Sequence, residues 1–283
     1  MSEHYLMRNE APLSDEEWER LDKVVVGVAK KQLVGRRFIG ILGPLGPGIQ
    51  NIHRDVFEGM GAASLDLFGE KEAEGLAVAC KDLMAIPMIY KEFRLLWRDI
   101  ETSRRAGVSL DLGVAAGASA FCAWKEDGLI FNGDAEVGYT GLLNAEGRTT
   151  VPKSNWGTAG NAFKNITAAV EKLTQAGCYE PYALVVSPDL YTQMQSLYGN
   201  MGRLEIELVR ELASGGVYAS PAISSGKGAL VSTGAHQLDL VVGQDLITAY
   251  LGPERMNHTF RVLETVVLRI KRPEAICTLE QKS

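Results

Sequence analysis

Apolar residues along this chain change their period several times, and each change predicts a different element. Trp18, Leu21, Val25 and Val28 recur at helical spacing and Leu33 continues the stripe, while Glu19, Asp22, Lys23 and Lys30 mark the opposite face. Ser14 stands before this stripe with Glu17 three residues on, the spacing at which each side chain satisfies a free N–H of the first turn. The pattern predicts a helix of about 20 residues, ~30 Å long, with Gly35 placed to stop it. Gly43-Pro44-Leu45-Gly46-Pro47-Gly48 then reads as a turn, because its prolines remove donors and its glycines oppose regular structure.

Residues 49–86 carry glycines and acidic groups without a clear period. Such a stretch predicts either an extended arm or a poorly ordered loop, and an arm would need a partner surface, a first hint of an oligomer. The dense apolar run from Phe93 to Ile100 predicts a strand. Residues 108–131 predict a central helix whose Ala and Gly positions let other backbones come close. Further on, the spacing predicts helices over Asn161 to Ala176, from Ser187-Pro188, and over 203–213, with a short buried strand at Tyr182 to Val186. Leu238 to Val242, Leu246 to Leu251 and Phe260 to Lys271 read as strands, the last with Val262, Val266, Leu268 and Ile270 on one parity. Helices and strands interleave without a strict βαβ rhythm, so the expected class is α+β.

Composition narrows the function. The chain has 283 residues, 46% hydrophobic and 23% charged, which suits a folded protein with a sizeable core. A net charge of -6 and no dense Lys/Arg block argue against nucleic acid or an anionic membrane as partner. No apolar run approaches the ~20 residues of a membrane span, and the acidic N-terminus shows no signal-peptide pattern, so a cytoplasmic protein is expected. Four scattered cysteines without a CxxC pair speak against disulfides or a thiolate zinc site.

No catalytic constellation emerges. His4, His53, His236 and His258 lack paired ligand spacing, and GPLGPG lacks the Lys-Ser/Thr ending of a phosphate loop. Ser119 lacks the second glycine of a nucleophile elbow and reads as a packed helix serine; Cys122 and Cys277 read as inert buried thiols. Glu126 and Asp127 precede an apolar run and read as a solvated helix end rather than an acid/base pair. The expectation is a non-enzyme, without metal or cofactor.

Several stretches, taken in order, resemble the encapsulins, the linocin-like shell proteins of nanocompartments. They are Ala11-Pro12-Leu13, Gln32-Leu33-Val34-Gly35-Arg36-Arg37-Phe38 and Gly43-Pro44-Leu45-Gly46, then Glu126-Asp127, Ile130-Phe131, Gly133 and Gly141-Leu142-Leu143. Pro181 to Val186, Gly215-Gly216-Val217, Gly243-Gln244-Asp245-Leu246 and Phe260 to Thr265 follow. Trp97 to Glu101, Ala249 to Gly252, Met256-Asn257-His258 and Arg269 to Pro273 resemble the longer iron-storage members.

The resemblance implies the tailed-phage major capsid protein fold, with P domain, E-loop and A domain. It places the N-terminal helix and start of the P domain in 1–48, the E-loop in 49–86, and the P domain with its spine helix in 87–136. The A domain takes 137–237, P-domain return strands 238–270, and a C-terminal A-domain segment 271–283. It implies an icosahedral homo-oligomer that encloses cargo, a ferritin-like iron-oxidising protein, held through a short C-terminal targeting peptide. In encapsulins the N-terminal helix lies on the shell interior and helps form the peptide groove. Carried onto this chain, that groove would use Val25, Val28, Ala29, Leu33, Arg36 and Phe38, with Asp245, Leu246 and Ile247 opposite. Some members bind a flavin beside a tryptophan before the spine helix; that position here is Arg98, so no flavin is expected. The alternative is a phage or prophage capsid protein that packages DNA.

Overall fold

A computed structural model describes residues 4–281, apart from Met60, Gly69, 71–74, Asn200 and Met201. After two single-turn helices comes α1 (Asp15–Gln32), then β1 (Ile41–Leu42), β2 (Asn51–Glu58), β3 (Ala77–Ala85) and β4 (Met88–Leu95). Next are α2 (Trp97–Ala106), α3 (Gly113–Asn132), β5 (Thr149–Lys153), α4 (Asn161–Gln175) and β6 (Tyr182–Val186). The rest comprises α5 (Pro188–Gln193), α6 (Glu205–Leu212), β7 (Gly216–Ala219), β8 (Gly228–Ser232), β9 (Leu238–Val242), β10 (Ile247–Glu254), β11 (Asn257–Ile270) and β12 (Ile276–Gln281). The capping box at Ser14 is present in full: Glu17 N donates to Ser14 Oγ and Ser14 N donates to a Glu17 carboxylate oxygen.

β11 is the axis of the first sheet, which runs β1-β9-β11-β10. Its fourteen residues are enough to pair two strands in succession along one edge and a third along the other. Asn257 to Leu263 pair with β10 and Val266 to Ile270 with β9 on the first edge, and His258 to Thr265 pair with β4 on the second. Phe260, Val262, Val266, Leu268 and Ile270 share one parity and enter one core with α1 and α3. A second sheet, β5-β12-β8-β6-β7, packs α4 and α6 over a separate core built on Trp156, Ile166, Leu173 and Leu184. β12 lies between β5 and β8, so the end of the described chain is built into this second unit.

Two sequence expectations change. Phe93 to Ile100 is not one strand: β4 ends at Leu95, and a helix starts at Trp97, whose N–H is taken by Asn257 Oδ1. A short apolar run cannot separate strand from helix by period alone. The central helix starts at Gly113 rather than 108; there the Asp111 carboxylate accepts the Gly113 N–H. The arm of 49–86 is a two-stranded hairpin of β2 and β3, paired from Asn51↔Ala85 to Glu58↔Ala77, with most of its side chains exposed. Among the described residues no helix is long and apolar enough to cross a membrane.

Candidate functional site

Successive residues of α1 are about 100° apart around its axis. Trp18, Leu21, Val25 and Ala29 form the buried arc. Asp22, Val26 and Leu33 lie on one edge of that arc, and Val24 and Val28 on the other. The first edge faces β10, because Arg8 pairs with Asp22 (2.6 Å) while its Nε donates to the Thr248 carbonyl (3.0 Å). The second faces the approach to α3, where Arg20 reaches the Leu110 carbonyl.

The nine residues expected in one groove therefore divide. Ala29, Leu33 and Leu246 meet Ala123 of α3 in one small apolar cluster, with half-buried Leu246 as its outer wall. Arg36 and Asp245 close one end of this strip. Val25 is core, and its carbonyl accepts the Ser119 hydroxyl at 2.6 Å, which makes Ser119 the packed helix serine its sequence suggests. Val28 belongs to the opposite edge. Phe38 is stacked on Phe131 and Tyr218 in the core. Ile247 turns to the other face of the sheet, against Leu6, Ala249 and Leu263. Leu246 lies in the bend before β10 and Ile247 is the first residue of that strand, and the two side chains pack in different clusters.

Arg36 organises the closed end. Its Nε and Nη2 grip both oxygens of Glu126 at 2.8 Å, Nη2 also donates to Glu264 Oε2 at 2.7 Å, and Nη1 to Asp245 Oδ1 at 2.7 Å. Burial works against the guanidinium charge, but the bonds and charge of Glu126, Glu264 and Asp245 hold its pKa above the ordinary value. Burial and the neighbouring Glu126 charge keep the Glu264 proton on well above the usual carboxylate range. Burial would push Asp245 up too, yet Arg36 wins and holds it below its ordinary value; Lys30 adds to this.

Glu126 and Asp127 are thus not a solvated helix end: both are buried. Asp127 accepts the N–H groups of Val34 (3.0 Å) and Gly35 (2.9 Å). This capture turns the chain out of α1. Gly35 serves close approach rather than a stop, since a Cβ there would lie 2.6 Å from Ile130 Cδ1. The acidic pair was visible in the sequence, but its partners Arg36, Glu264 and the Val34–Gly35 amides are distant in the chain, so no local pattern revealed them. Burial pushes Asp127 up to about 6, against the backbone donors that favour its charge. An unfolded Asp127 loses its proton near 3.8 and the folded one near 6, so its contribution to stability falls as the pH rises between those values. Asp127→Asn is expected to flatten that stretch of a stability–pH curve by at most ~3 kcal/mol. Urea midpoints from pH 4 to 7 check this, and a variant curve parallel to the parent's rejects it.

Cys122 is buried, which pushes its thiol up to about 12, so it is no nucleophile at neutral pH. Among the described residues no three His, Cys, Asp or Glu side chains gather as a metal site.

A family model, Linocin_M18, described as encapsulating protein for peroxidase, matches residues 3–267. The type 1 encapsulin shell protein EncA of Myxococcus xanthus is 49% identical, over 98% of this chain and 96% of its own length. A diheme-cytochrome–encapsulin shell fusion protein of Kuenenia stuttgartiensis is 42% identical over 96% of this chain and 75% of its own. A ferritin-like–encapsulin shell fusion protein of Pyrococcus furiosus is 27% identical over 74% and 57%. In structure, the virus-like particle from Pyrococcus furiosus matches with TM-score 0.76 at 24% identity, over 94% of this chain and 100% of that one. The capsid of Myoviridae phage XM1 matches with TM-score 0.65 at 11% identity, over 87% and 90%. These two likenesses show a tailed-phage capsid fold.

Proposed function

This chain belongs to the encapsulin family, and from that membership we propose that its shells hold a ferritin-like, iron-oxidising cargo by a short C-terminal peptide docked along Ala29, Leu33 and Leu246. The chain itself is a shell protein of a capsid-like compartment. Its role is structural, and the work of catalysis falls to the cargo. We read the first sheet with α1 and α3 as the P domain, the β2–β3 hairpin as the E-loop, and the second sheet with its helices as the A domain. The compartment is read as cytoplasmic.

The observation that carries the docking site is the strip itself: half-buried Leu246 over the buried Ala29 and Leu33, with a fixed ionic end at Arg36 and Asp245. Burial contributes about 25 cal/mol per Å² of apolar surface, so a peptide of a few residues binds modestly after its ordering cost. Many identical strips in one shell raise the avidity of a multimeric cargo. An iron-handling cargo is supported by the ferritin-like domain fused to the Pyrococcus furiosus relative; the diheme cytochrome of the Kuenenia stuttgartiensis relative supports redox cargo in general. The closeness of the shell sequences, rather than the shared capsid fold, supports this reading over a DNA-packaging phage protein.

The test is to purify shells after co-expression with a ferritin-like protein, with and without its C-terminal tail. Full-length cargo is expected inside hollow particles and the truncated form outside. Leu246→Asp places a charge on the strip's outer wall and is expected to lower loading by an order of magnitude or more, since a desolvated unpaired charge costs several kcal/mol. Equal loading with and without the tail, or in the variant, would sink the docking site.

A further inference from the structure

Exposed aromatic rings and unpaired positive charge meet at one place on this fold, a cleft of about 720 Å³ between the end of α1, α3 and the segment after β7. That volume falls within the ~300–1,000 Å³ of small-molecule sites. Phe121 and Trp124 stand one turn apart on α3, both more than half exposed, and form one wall. Lys91 already lies over the Phe121 ring, 5.4 Å from its centre, so Trp124 offers the open aromatic face. Pro221 and Ala222 form the other wall, and hydrogen bonds fix it. The Ala222 carbonyl accepts Asn132 Nδ2 at 2.8 Å, and the Ala222 N–H donates to Ser220 Oγ at 3.3 Å.

The rim is cationic. Lys31 and Arg37 line the cleft and are exposed. Arg37 Nε donates to the Leu33 carbonyl and Nη2 to the Lys31 carbonyl, which holds the guanidinium in place and leaves other N–H donors of its fork free. Neighbouring cations have carboxylate partners: Lys23 has Glu19, Arg36 has Glu126 and Lys125 has Asp134. Lys31 and Arg37 form no ion pair among the described residues. The acid of the cleft, Asp127, is buried and already accepts the Val34 and Gly35 amides. Two exposed cations against one buried carboxylate leave the mouth positive, on a chain whose net charge is -6.

We propose that this cleft binds a nucleoside monophosphate, its base stacked on Trp124 and its phosphate held by Lys31 and Arg37. A base presents a flat π-face, which an open indole receives whatever the base. A phosphate monoester carries roughly −1.5 to −2 charge at neutral pH and three acceptor oxygens. Those match two unpaired cations, one a point charge and one a fork. A carboxylate ligand would balance only one of them. A nucleic acid strand would need a basic track running beyond the cleft, and the chain has no dense Lys/Arg block. Along α1, Lys31 falls on the side of Val24 and Val28, away from the edge that carries Leu33. The site is therefore separate from the proposed cargo contact and stands without it.

The test is equilibrium dialysis of radiolabelled adenosine monophosphate against cargo-free shells, with tryptophan fluorescence beside it. Saturable binding of one molecule per chain is expected. Indole emission should be quenched as the site fills, since Trp124 is the most exposed of the four tryptophans. Adenosine and ribose 5-phosphate each lack one half of the ligand and should bind at least tenfold more weakly. Lys31→Gln combined with Arg37→Gln should weaken binding at least tenfold and remove most of its salt dependence. Trp124→Leu should weaken it about tenfold, whereas Trp124→Phe keeps most of it. The ligand series uses the unaltered protein, so it decides the matter even where a variant fails to assemble. No saturable binding up to millimolar adenosine monophosphate overturns the proposal. Equal binding by Trp124→Leu overturns it too, as does tighter binding of an oligonucleotide than of the monophosphate. Binding seen only in dissociated subunits also overturns it, because another occupant then fills the cleft in the shell.

Discussion

Arg36→Ala is expected to destabilise this protein by about 3–5 kcal/mol, because it strips the counter-charge from a buried carboxylate pair. Glu126 is 0% and Glu264 1% exposed, and both take hydrogen bonds from this one guanidinium. Neither can turn to water once Arg36 is gone, so each must bind a proton or remain charged in an apolar setting. The loss therefore grows with pH. Without Arg36 the folded state holds protons that the unfolded chain releases above about pH 4.5, so the variant's stability falls relative to the parent as pH rises. Arg36→Lys should recover only part, since one ammonium cannot make the forked contact to Glu126 while reaching Glu264 and Asp245. Glu264→Gln should cost about 1 kcal/mol, less than Arg36→Ala, because burial already disfavours the Glu264 charge and the amide preserves an acceptor for Arg36. Thermal midpoints at pH 5 and pH 8 check all three; a drop for Arg36→Ala on the order of 10 °C is expected at the higher pH. Equal losses for Arg36→Ala and Glu264→Gln would mean that the cluster is not held as described.

The second large effect is expected at Gly141→Ala. The last turn of α3 leaves four carbonyls to satisfy; the cap residue Gly133 takes one, and a single return of the chain takes the other three. Gly133 N donates to Leu129 O, Leu142 N to Ile130 O, and Leu143 N to Phe131 O, while Asn144 Nδ2 reaches Asn132 O. This return runs so close to the helix end that a Cβ on Gly141 would stand 2.3 Å from Gly133 N and 2.7 Å from the Phe131 and Asn132 carbonyl carbons. Gly133 is itself in the left-handed region at φ 68, with room only for hydrogen. Backbone cannot move aside as a side chain can. The methyl group must break the cap, and lost hydrogen bonds with overpacking should cost about 3 kcal/mol or more. A fall in soluble yield and in the unfolding midpoint is the expected result; a variant within about 1 kcal/mol of the parent would show that the return can shift without loss.

Local chemistry was legible where it was self-contained. Ser14 and Glu17 announce the start of α1, and the capping bonds are there. The even-numbered stripe of β11 enters the core as its parity requires. The glycine at 133 and the Gly141-Leu142-Leu143 run stood out, but only the structure shows that they face each other across a helix end. The strand-like run around Phe93 misled because eight apolar-rich residues fit two periods equally well. β5, β7, β8 and β12 had no distinct pattern of their own: they are short strands whose place is set by pairing with distant partners.

For the docking strip the division is sharper. The amphipathic helix and the Gln244-Asp245-Leu246 segment marked the two sides of the proposed site, and helical spacing could narrow α1 to one edge. Which edge faces the strand depends on Arg8, Asp22 and the Thr248 carbonyl, contacts that span 14 and 240 residues of chain. The fate of Glu126 and Asp127 was likewise settled by tertiary structure. Their sequence signal is the same whether they face water or a buried arginine, since charge pattern reports residue type and not environment. Capping, periodicity and family resemblance are short-range or whole-chain signals, and they determined the helices, the long strand, the class and the family. Burial, counter-charge and the meeting of the hairpin, helix and sheet faces arise only when distant segments come together, and those the fold alone decided.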